Sequence, residues 1–266
     1  TYMASEQKEK LIRFYKGTEG EEIVIKLVDL AENVLRTQKF RISGFLDPFG
    51  QEIAETVAAN YGNIRVDFAG GYQGAERARA IFIHEDFAGT PTGFGIDCIE
   101  AKWNGQFARL SHRDVLGALM GQGIERDTIG DLLVTNDAVK IICEEKMADF
   151  LLTNLDKIGA VGVTCERADL STIAPKEERC KEIRATVASL RVDSIAAAGF
   201  GSSRSKAAAD IAADKLKINW QPAKSASQNV KEGDILSMRG RGRLEVAEVR
   251  GTTKKGRTVV VLKRYL

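Results

Sequence analysis

Leu190-Arg-Val-Asp-Ser-Ile-Ala-Ala-Ala-Gly-Phe-Gly201, continued by Ser202-Ser-Arg-Ser-Lys-Ala-Ala-Ala-Asp-Ile-Ala-Ala-Asp-Lys-Leu-Lys-Ile-Asn-Trp220, decides how the chain is read. Its first part reads as a short helix closed by Gly199 and Gly201. Ser202 or Ser203 is then a good N-cap for a second helix, with Arg204, Ser205 and Lys206 in its first turn. Ala208, Ile211, Ala212 and Leu216 recur on one face near the helical period. Two cations in a first turn oppose the helix dipole at roughly 0.3–1 kcal/mol each, and a phosphate bound there would offset that cost. Lys215 to Trp220 follows as a strand, with Leu216, Ile218 and Trp220 on one side and Lys215, Lys217 and Asn219 on the other.

Further along, a turn at Glu232-Gly-Asp234 leads into a strand that runs to Arg239-Gly-Arg-Gly-Arg243. Alternation lets Arg239, Arg241 and Arg243 share a face, while Gly240 and Gly242 allow close backbone approach to a ligand. Segments 243–250 and 257–265 have strand composition. Gly251 to Gly256 joins them as a basic hairpin turn with Lys254 and Lys255 at its tip, beside Arg257. From Leu190 to Leu266 there are 16 Lys or Arg against 7 Asp or Glu, a net +9. The rest of the chain holds 23 bases and 30 acids, a net −7. A basic module on an acidic body predicts a polyanionic partner for the module, with RNA, DNA and anionic membrane as the candidates.

Leu190-Arg-Val-Asp193, Ser203-Arg-Ser-Lys-Ala207 and Leu216-Lys-Ile-Asn219 resemble the alpha-L RNA-binding module first seen in ribosomal protein S-four. One departure is Ala213-Asp214, where that family usually has a glycine at the helix end. Asp234 to Arg243 and Gly251 to Arg257 resemble the tail of YlmH-type proteins; Phe45-Leu-Asp-Pro48 and Ser111 to Asp131 resemble other parts of the same family. The resemblance implies RNA as partner, specifically ribosomal RNA and tRNA on the large ribosomal subunit, in translation or ribosome-associated quality control. Cyanobacterial and plastid relatives are often named for photosystem II. It places RNA contacts at Arg191, Ser203, Arg204, Ser205, Lys206, Lys215, Lys217, Asn219, Arg239, Arg241, Arg243, Lys254, Lys255 and Arg257.

The expected fold class is α+β in successive domains: an N-terminal α/β region (1–95), a ferredoxin-like, RRM-like domain (96–170), a connector (171–189, its charge-rich part Lys181–Ser189) and the S-four-like domain with a small sheet (190–266). Ile23, Leu27, Leu30, Ala31, Val34 and Leu35 form an amphipathic stripe, and Asp47-Pro48 starts a helix that ends near Tyr61-Gly62. Strands are expected at 64–68 and 80–83. From 97 to 169 the order strand, helix, strand, strand, helix, strand is the ferredoxin-like one. The pieces are strands at 98–103 or 106–110, 131–135, 139–143 and 161–167, with helices from Ser111 or His112 to Met120 and from Lys146 to Ile158. An RRM stacks bases on strand aromatics, and only Trp103 and Phe107 offer themselves here. An RNA-binding and a protein-docking role for that domain therefore both stay open.

Catalysis is not expected. His84 and His112 are the only histidines, His84-Glu-Asp86 cannot converge on an ion from a strand, and no nucleophile elbow is present. Pseudouridine synthases and tyrosyl-tRNA synthetases share the module. The first is echoed only by Gly242-Arg-Leu-Glu245, with Glu where the catalytic Asp belongs, and the ATP motifs of the second are missing. The glycine-rich 69–74 lacks nucleotide-binding signatures. Cys98, Cys143, Cys165 and Cys180 suit neither a zinc knuckle nor a disulfide framework, so no metal or cofactor is expected. With no long apolar run and no leader, the expected setting is the cytoplasm of a bacterium or cyanobacterium, or a plastid stroma. The alternative reading is a structural or partner-binding factor of cell division or photosystem II assembly with a secondary RNA module.

Overall fold

The computed structural model describes residues 2–91, 93–176 and 179–266, with side chains from Glu6 onward. It divides into two compact units, Thr1–Glu177 and Glu178–Leu266.

The first unit opens with α1 (Tyr2–Tyr15), α2 (Glu21–Thr37), β1 (Phe40–Leu46), α3 (Pro48–Tyr61), β2 (Ile64–Ala69) and β3 (Ala78–His84). The strands form an antiparallel sheet in the order β1-β3-β2. On α2 the apolar stripe faces inward: Leu27, Ala31 and Val34 are buried, and Ile23, Leu30 and Leu35 pack around them. Asp47 caps α3 by accepting from the Gly50 amide at 2.8 Å, with Pro48 in the first turn where its missing N–H costs nothing. The sequence did not reveal β1, whose pairing with β3 is broken by a register shift between Ile42 and Phe45. That irregularity hides the two-residue alternation a strand is recognised by.

The unit continues with β4 (Ile96–Lys102), α4 (His112–Gly121), β5 (Ile129–Val134), β6 (Ala138–Glu144), α5 (Glu145–Asn154), β7 (Lys157–Ile158), β8 (Val161–Gly162) and β9 (Thr164–Arg167). The antiparallel order β5-β6-β4-β9 is the expected ferredoxin-like arrangement. Residues 106–110 are loop rather than strand. α5 ends at Asn154, four residues early, because Lys157 to Gly162 turns about Gly159 into a small hairpin. One sheet face packs on α4 and α5 through Ile99, Ala101, Val139 and Ile141. The other face, at Cys98, Leu133 and Ile142, packs on Phe45, Tyr72, Leu170 and Ile173.

In the second unit follow β10 (Cys180–Val187), α6 (Val192–Phe200), α7 (Arg204–Ala212), β11 (Leu216–Ile218), β12 (Gln221–Pro222), β13 (Ile235–Met238), β14 (Gly242–Thr252) and β15 (Thr258–Tyr265). They make one antiparallel sheet ordered β10-β15-β14-β13-β11-β12, with α6 and α7 packed on its core. The connector expected up to 189 needs correction: residues 180–187 pair in unbroken register with β15, from Cys180 opposite Tyr265 to Val187 opposite Thr258. Lys181, Glu182 and Arg184 are the solvent-facing charges of an edge strand, while Ile183, Ala185 and Val187 pack inward. Charged edge strands and linkers look alike in composition, since both avoid apolar surface.

Gly199 sits inside α6, where a Cβ would come within 2.2 Å of the buried Leu244 side chain, so its lack of a side chain lets the helix lie directly on β14. On α7 the buried face is Ala207 and Ile211 rather than Ala208 and Ala212. The helix ends in a Schellman motif: Asp214 N–H donates to the Ile211 carbonyl and Lys215 N–H to the Asp210 carbonyl, both at 3.0 Å. Asp214 takes the left-handed position at φ 55 that glycine fills in the S-four pattern, which the short polar side chain of aspartate tolerates. β11 stops at Ile218. Asn219 and Trp220, at φ 47 and 64, form a two-residue turn of the mirror-image kind that joins tight hairpins, not the expected strand end.

Candidate nucleic-acid interface

The start of α7 is built as the sequence indicates. Ser203 is the N-cap, its hydroxyl accepting from the Lys206 amide at 3.1 Å, which places Arg204, Ser205 and Lys206 in the first turn, all exposed. The amides of Arg204 and Ser205 have no partner within the helix.

Asp193, quoted in the motif but given no role there, organises this end of the unit. Its side chain is 5% exposed. Arg191 grips it with Nε and Nη2 at 3.2 and 3.0 Å, Arg204 Nε donates to it at 3.4 Å, and the Ser194 amide donates at 2.8 Å. Arg191 and Arg204 remain 38% and 52% exposed, so one buried carboxylate holds two outward-facing guanidinium groups in place. Burial alone pushes the Asp193 carboxyl up, but the Arg191 hydrogen bond, the Arg204 charge and the Ser194 amide outweigh it and hold the group below the usual carboxylate range. A group more acidic when folded stabilises fully above its unfolded value of about 3.9, and that stabilisation fades as pH falls through the folded value. Asp193→Asn should therefore be less stable than the parent at neutral pH, with the gap closing below about pH 4 in urea titrations across the acid limb.

A second group of cations lies at the β13–β14 turn. The Arg239 amide donates to the Lys215 carbonyl at 2.9 Å, which brings the exposed Arg239 and Lys215 together at the C-terminal end of α7. Lys215 Nζ stands 3.8 Å from Asp210. The shared face expected for Arg239, Arg241 and Arg243 is not formed, because β13 ends at Met238 and Gly240 and Gly242 both take positive φ. The chain reverses between the arginines. Arg241 Nη1 donates to the Phe200 carbonyl at 3.0 Å, closing the end of α6, and Arg243 enters β14 opposite Ser237.

Three further residues of the expected site are held by the chain itself, two of them away from the surface role expected and Arg257 without losing its exposure. Lys217 is 4% exposed, flanked on its sheet face by Pro222 on one neighbouring strand and Ser237 on the other. Alternation sends a side chain to water only where that face is open, and here neighbours cover the stem. Asn219 spends its side chain on the chain itself, donating to Asp234 Oδ1 and accepting from the Ile235 amide, each at 2.9 Å. Arg257, exposed, donates to the Thr186 carbonyl at 2.9 Å and so pins the hairpin to β10. Lys254 and Lys255 are exposed at the tip. β14 has 11 residues, and the steps between them at about 3.3 Å span about 33 Å, so the tip is a separate cationic point from the α7 surface.

In the first unit the sheet face on which RRM domains stack bases is covered over Cys98 and Ile142 by Phe45, Tyr72, Leu170 and Ile173, while Glu100, Lys102 and Lys140 line an open cleft beside them. Beside it Asp131 accepts from the Tyr72 hydroxyl and the amides of Glu76 and Arg77, at 2.5–2.9 Å. Arg77 and Arg126 donate to backbone carbonyls around it, and burial together with the charge of Arg77 brings Arg126 down to about 10. This cluster is spent on joining the β2–β3 loop to β5. Among the described residues no group of His, Cys, Asp or Glu is placed to hold a metal ion, and no helix is long and apolar enough to cross a membrane.

A capped, cationic helix start braced by a buried aspartate, laid with a second helix on a small sheet, is the architecture of an S4-type RNA-binding module, here carried behind an α+β unit. Family models match accordingly: "YlmH, N-terminal" at residues 19–87, "Putative RNA-binding domain in YlmH" at 90–172 and "S4 domain" at 190–236. A curated relative, "Ribosome-associated protein quality control protein P2" of Bacillus subtilis (strain 168), is 33% identical over 226 residues, 85% of this chain and 88% of the relative. The chain belongs to the YlmH family. A solved structure titled "Cell division protein ylmH from Streptococcus pneumoniae" shares the fold, with TM-score 0.50 and 23% identity, over 59% of this chain and 95% of that one.

Proposed function

We propose that this chain is a non-catalytic RNA-binding protein of the bacterial-type cytoplasm that binds structured ribosomal RNA and tRNA on the large ribosomal subunit, in translation or ribosome-associated quality control. The observation that carries the reading is the α7 start, where Arg204 and Lys206 stand beside unpartnered amides and Asp193 holds Arg191 and Arg204 outward. Cations in that position destabilise an isolated helix and become favourable when a phosphate sits on the amides. The name of the Bacillus subtilis relative supports the ribosomal setting. In this reading Arg191, Arg204, Ser205, Lys206, Lys215 and Arg239 contact phosphates directly, with Arg243 at the margin. Ser203, Lys217, Asn219 and Arg241 build the surface that carries them. Lys254, Lys255 and Arg257 reach a separate stretch of backbone.

Phosphate contact of this kind makes affinity fall with salt, log K against log salt having a slope of about −0.9 per neutralised phosphate on duplex-like RNA. Residues 179–266 alone should keep most of the affinity and most of the slope of the full chain in such a titration. A piece begun near residue 185 would strip Cys180 to Arg184 from β10 and turn Val261 to Tyr265 of β15 into an open edge, still paired with β14 on the other side. Affinity nearly independent of salt would remove the electrostatic mechanism.

A further inference from the structure

Two aromatic residues that follow β4 part company in the structure. Trp103 is 7% exposed and belongs to the central core, whereas Phe107, four residues later, is 86% exposed. The loop that carries Phe107 is well tied. The Asn104 carbonyl accepts from the amides of Phe107 and Ala108 at 3.2 Å, and its side chain accepts from the Gln106 amide at 3.0 Å. The Trp103 indole donates to the Ala108 carbonyl at 3.3 Å, and its amide donates to Asp137 at 2.9 Å. Gly105 lies so close to the β5–β6 turn that a Cβ would come 2.7 Å from the Asn136 carbonyl oxygen. Just beyond, Ser111 and Asp114 fix the start of α4 through a reciprocal capping box.

The ring is thus held out in water on a rigid loop, and its surroundings have the chemistry of a nucleic-acid contact. Residues 101–113 carry Lys102, Arg109 and Arg113 and no acid, inside a segment, 1–189, whose net charge is −7. Lys102 is paired with Glu100 and Glu166, while Arg109, His112 and Arg113 are exposed around Phe107 in the chain. An open cleft next to the loop is lined by Asn104, Gln106, Thr135, Asn136 and Asp137, amides, a hydroxyl and one carboxylate that can hydrogen-bond the polar edge of a base. A protein partner would find one ring among cations and amides, without the apolar surround that makes an aromatic anchor effective. A base offers a flat face for the ring and flanking phosphates for the guanidinium groups.

We propose that the loop from Asn104 to Arg113 is a second RNA contact, in which Phe107 stacks on one unpaired base while Arg109 and Arg113 meet the neighbouring phosphates. It rests on the RNA-binding reading of the chain but uses a surface apart from both α7 and the covered sheet face. Trp103 is a positioning residue, holding the loop without touching RNA.

The test uses the full chain with a fluorescent single-stranded RNA of mixed sequence and, separately, a stable RNA hairpin. Phe107→Ala should weaken the single strand about 5- to 150-fold, the usual worth of one stacked base, with an unchanged melting curve. Phe107→Trp should restore binding, and Arg109→Glu with Arg113→Glu should weaken it and flatten its salt dependence. Single-strand affinity unchanged in both Phe107→Ala and the arginine pair overturns the proposal, as does a Phe107→Ala defect confined to a co-purifying protein. The α7 variant Arg204→Gln with Lys206→Glu separates the two ideas. If only the α7 reading fails, that variant holds the hairpin normally while Phe107→Ala still loses the single strand.

Discussion

Exchanging Arg204 for glutamine together with Lys206 for glutamate should cost at least about 100-fold in affinity for structured RNA. Two charge-assisted hydrogen bonds at about 1.5 kcal/mol or more each already amount to that factor, before the new carboxylate repels a phosphate. The choice of substitutions follows from the structure. Arg204 Nε lies 3.4 Å from the buried Asp193, so glutamate at 204 would set two carboxylates against each other and confuse lost binding with lost folding. Glutamine avoids that. At 206 an acid in the first turn favours the helix dipole, and the Ser203 cap on the residue 206 amide is untouched. Fluorescence anisotropy and co-sedimentation with large ribosomal subunits check the result. Wild-type binding by this variant would mean that the α7 surface is merely solvated.

Trp103→Ala should destabilise the first unit by about 3–5 kcal/mol, the usual cost of emptying a buried aromatic site. Trp103 fills the core beside Val115, Leu119 and Val139, and its indole N–H also closes the following loop onto Ala108. Phe107→Ala, at an exposed position, should change stability by no more than about 0.5 kcal/mol. Denaturant unfolding of the two variants side by side checks the contrast, and equal effects would contradict the placement of these side chains.

Much of the fold was legible because its signals are local. The α2 stripe, the Asp47-Pro48 start of α3, the Ser203 cap and the strand–helix order of the central sheet each depend on residues a few positions apart. Errors came where distant chain sets the environment. β10 read as a connector because the residues that make it a strand belong to β15, at the far end of the sequence. Lys217 read as exposed because its cover comes from Pro222 and Ser237 across strands, and the three arginines read as one face because positive φ at Gly240 and Gly242 turns the chain between them. Asp193 lay in plain view in the motif, yet its importance depends on Arg204, which only the packing of α7 against α6 brings to it.

By itself the sequence determined the α+β class, the basic module, the capped cationic helix start and the family, since charge, caps and periodicity are properties of neighbouring residues. Tertiary structure alone decided which cations stay on the surface, that Asp193 orients two of them, that the central sheet face is partly covered, and that Phe107 faces water while Trp103 does not. Burial and ion pairing depend on what lies across space, and the same residue type is anchor, brace or contact according to neighbours that one-dimensional spacing does not specify.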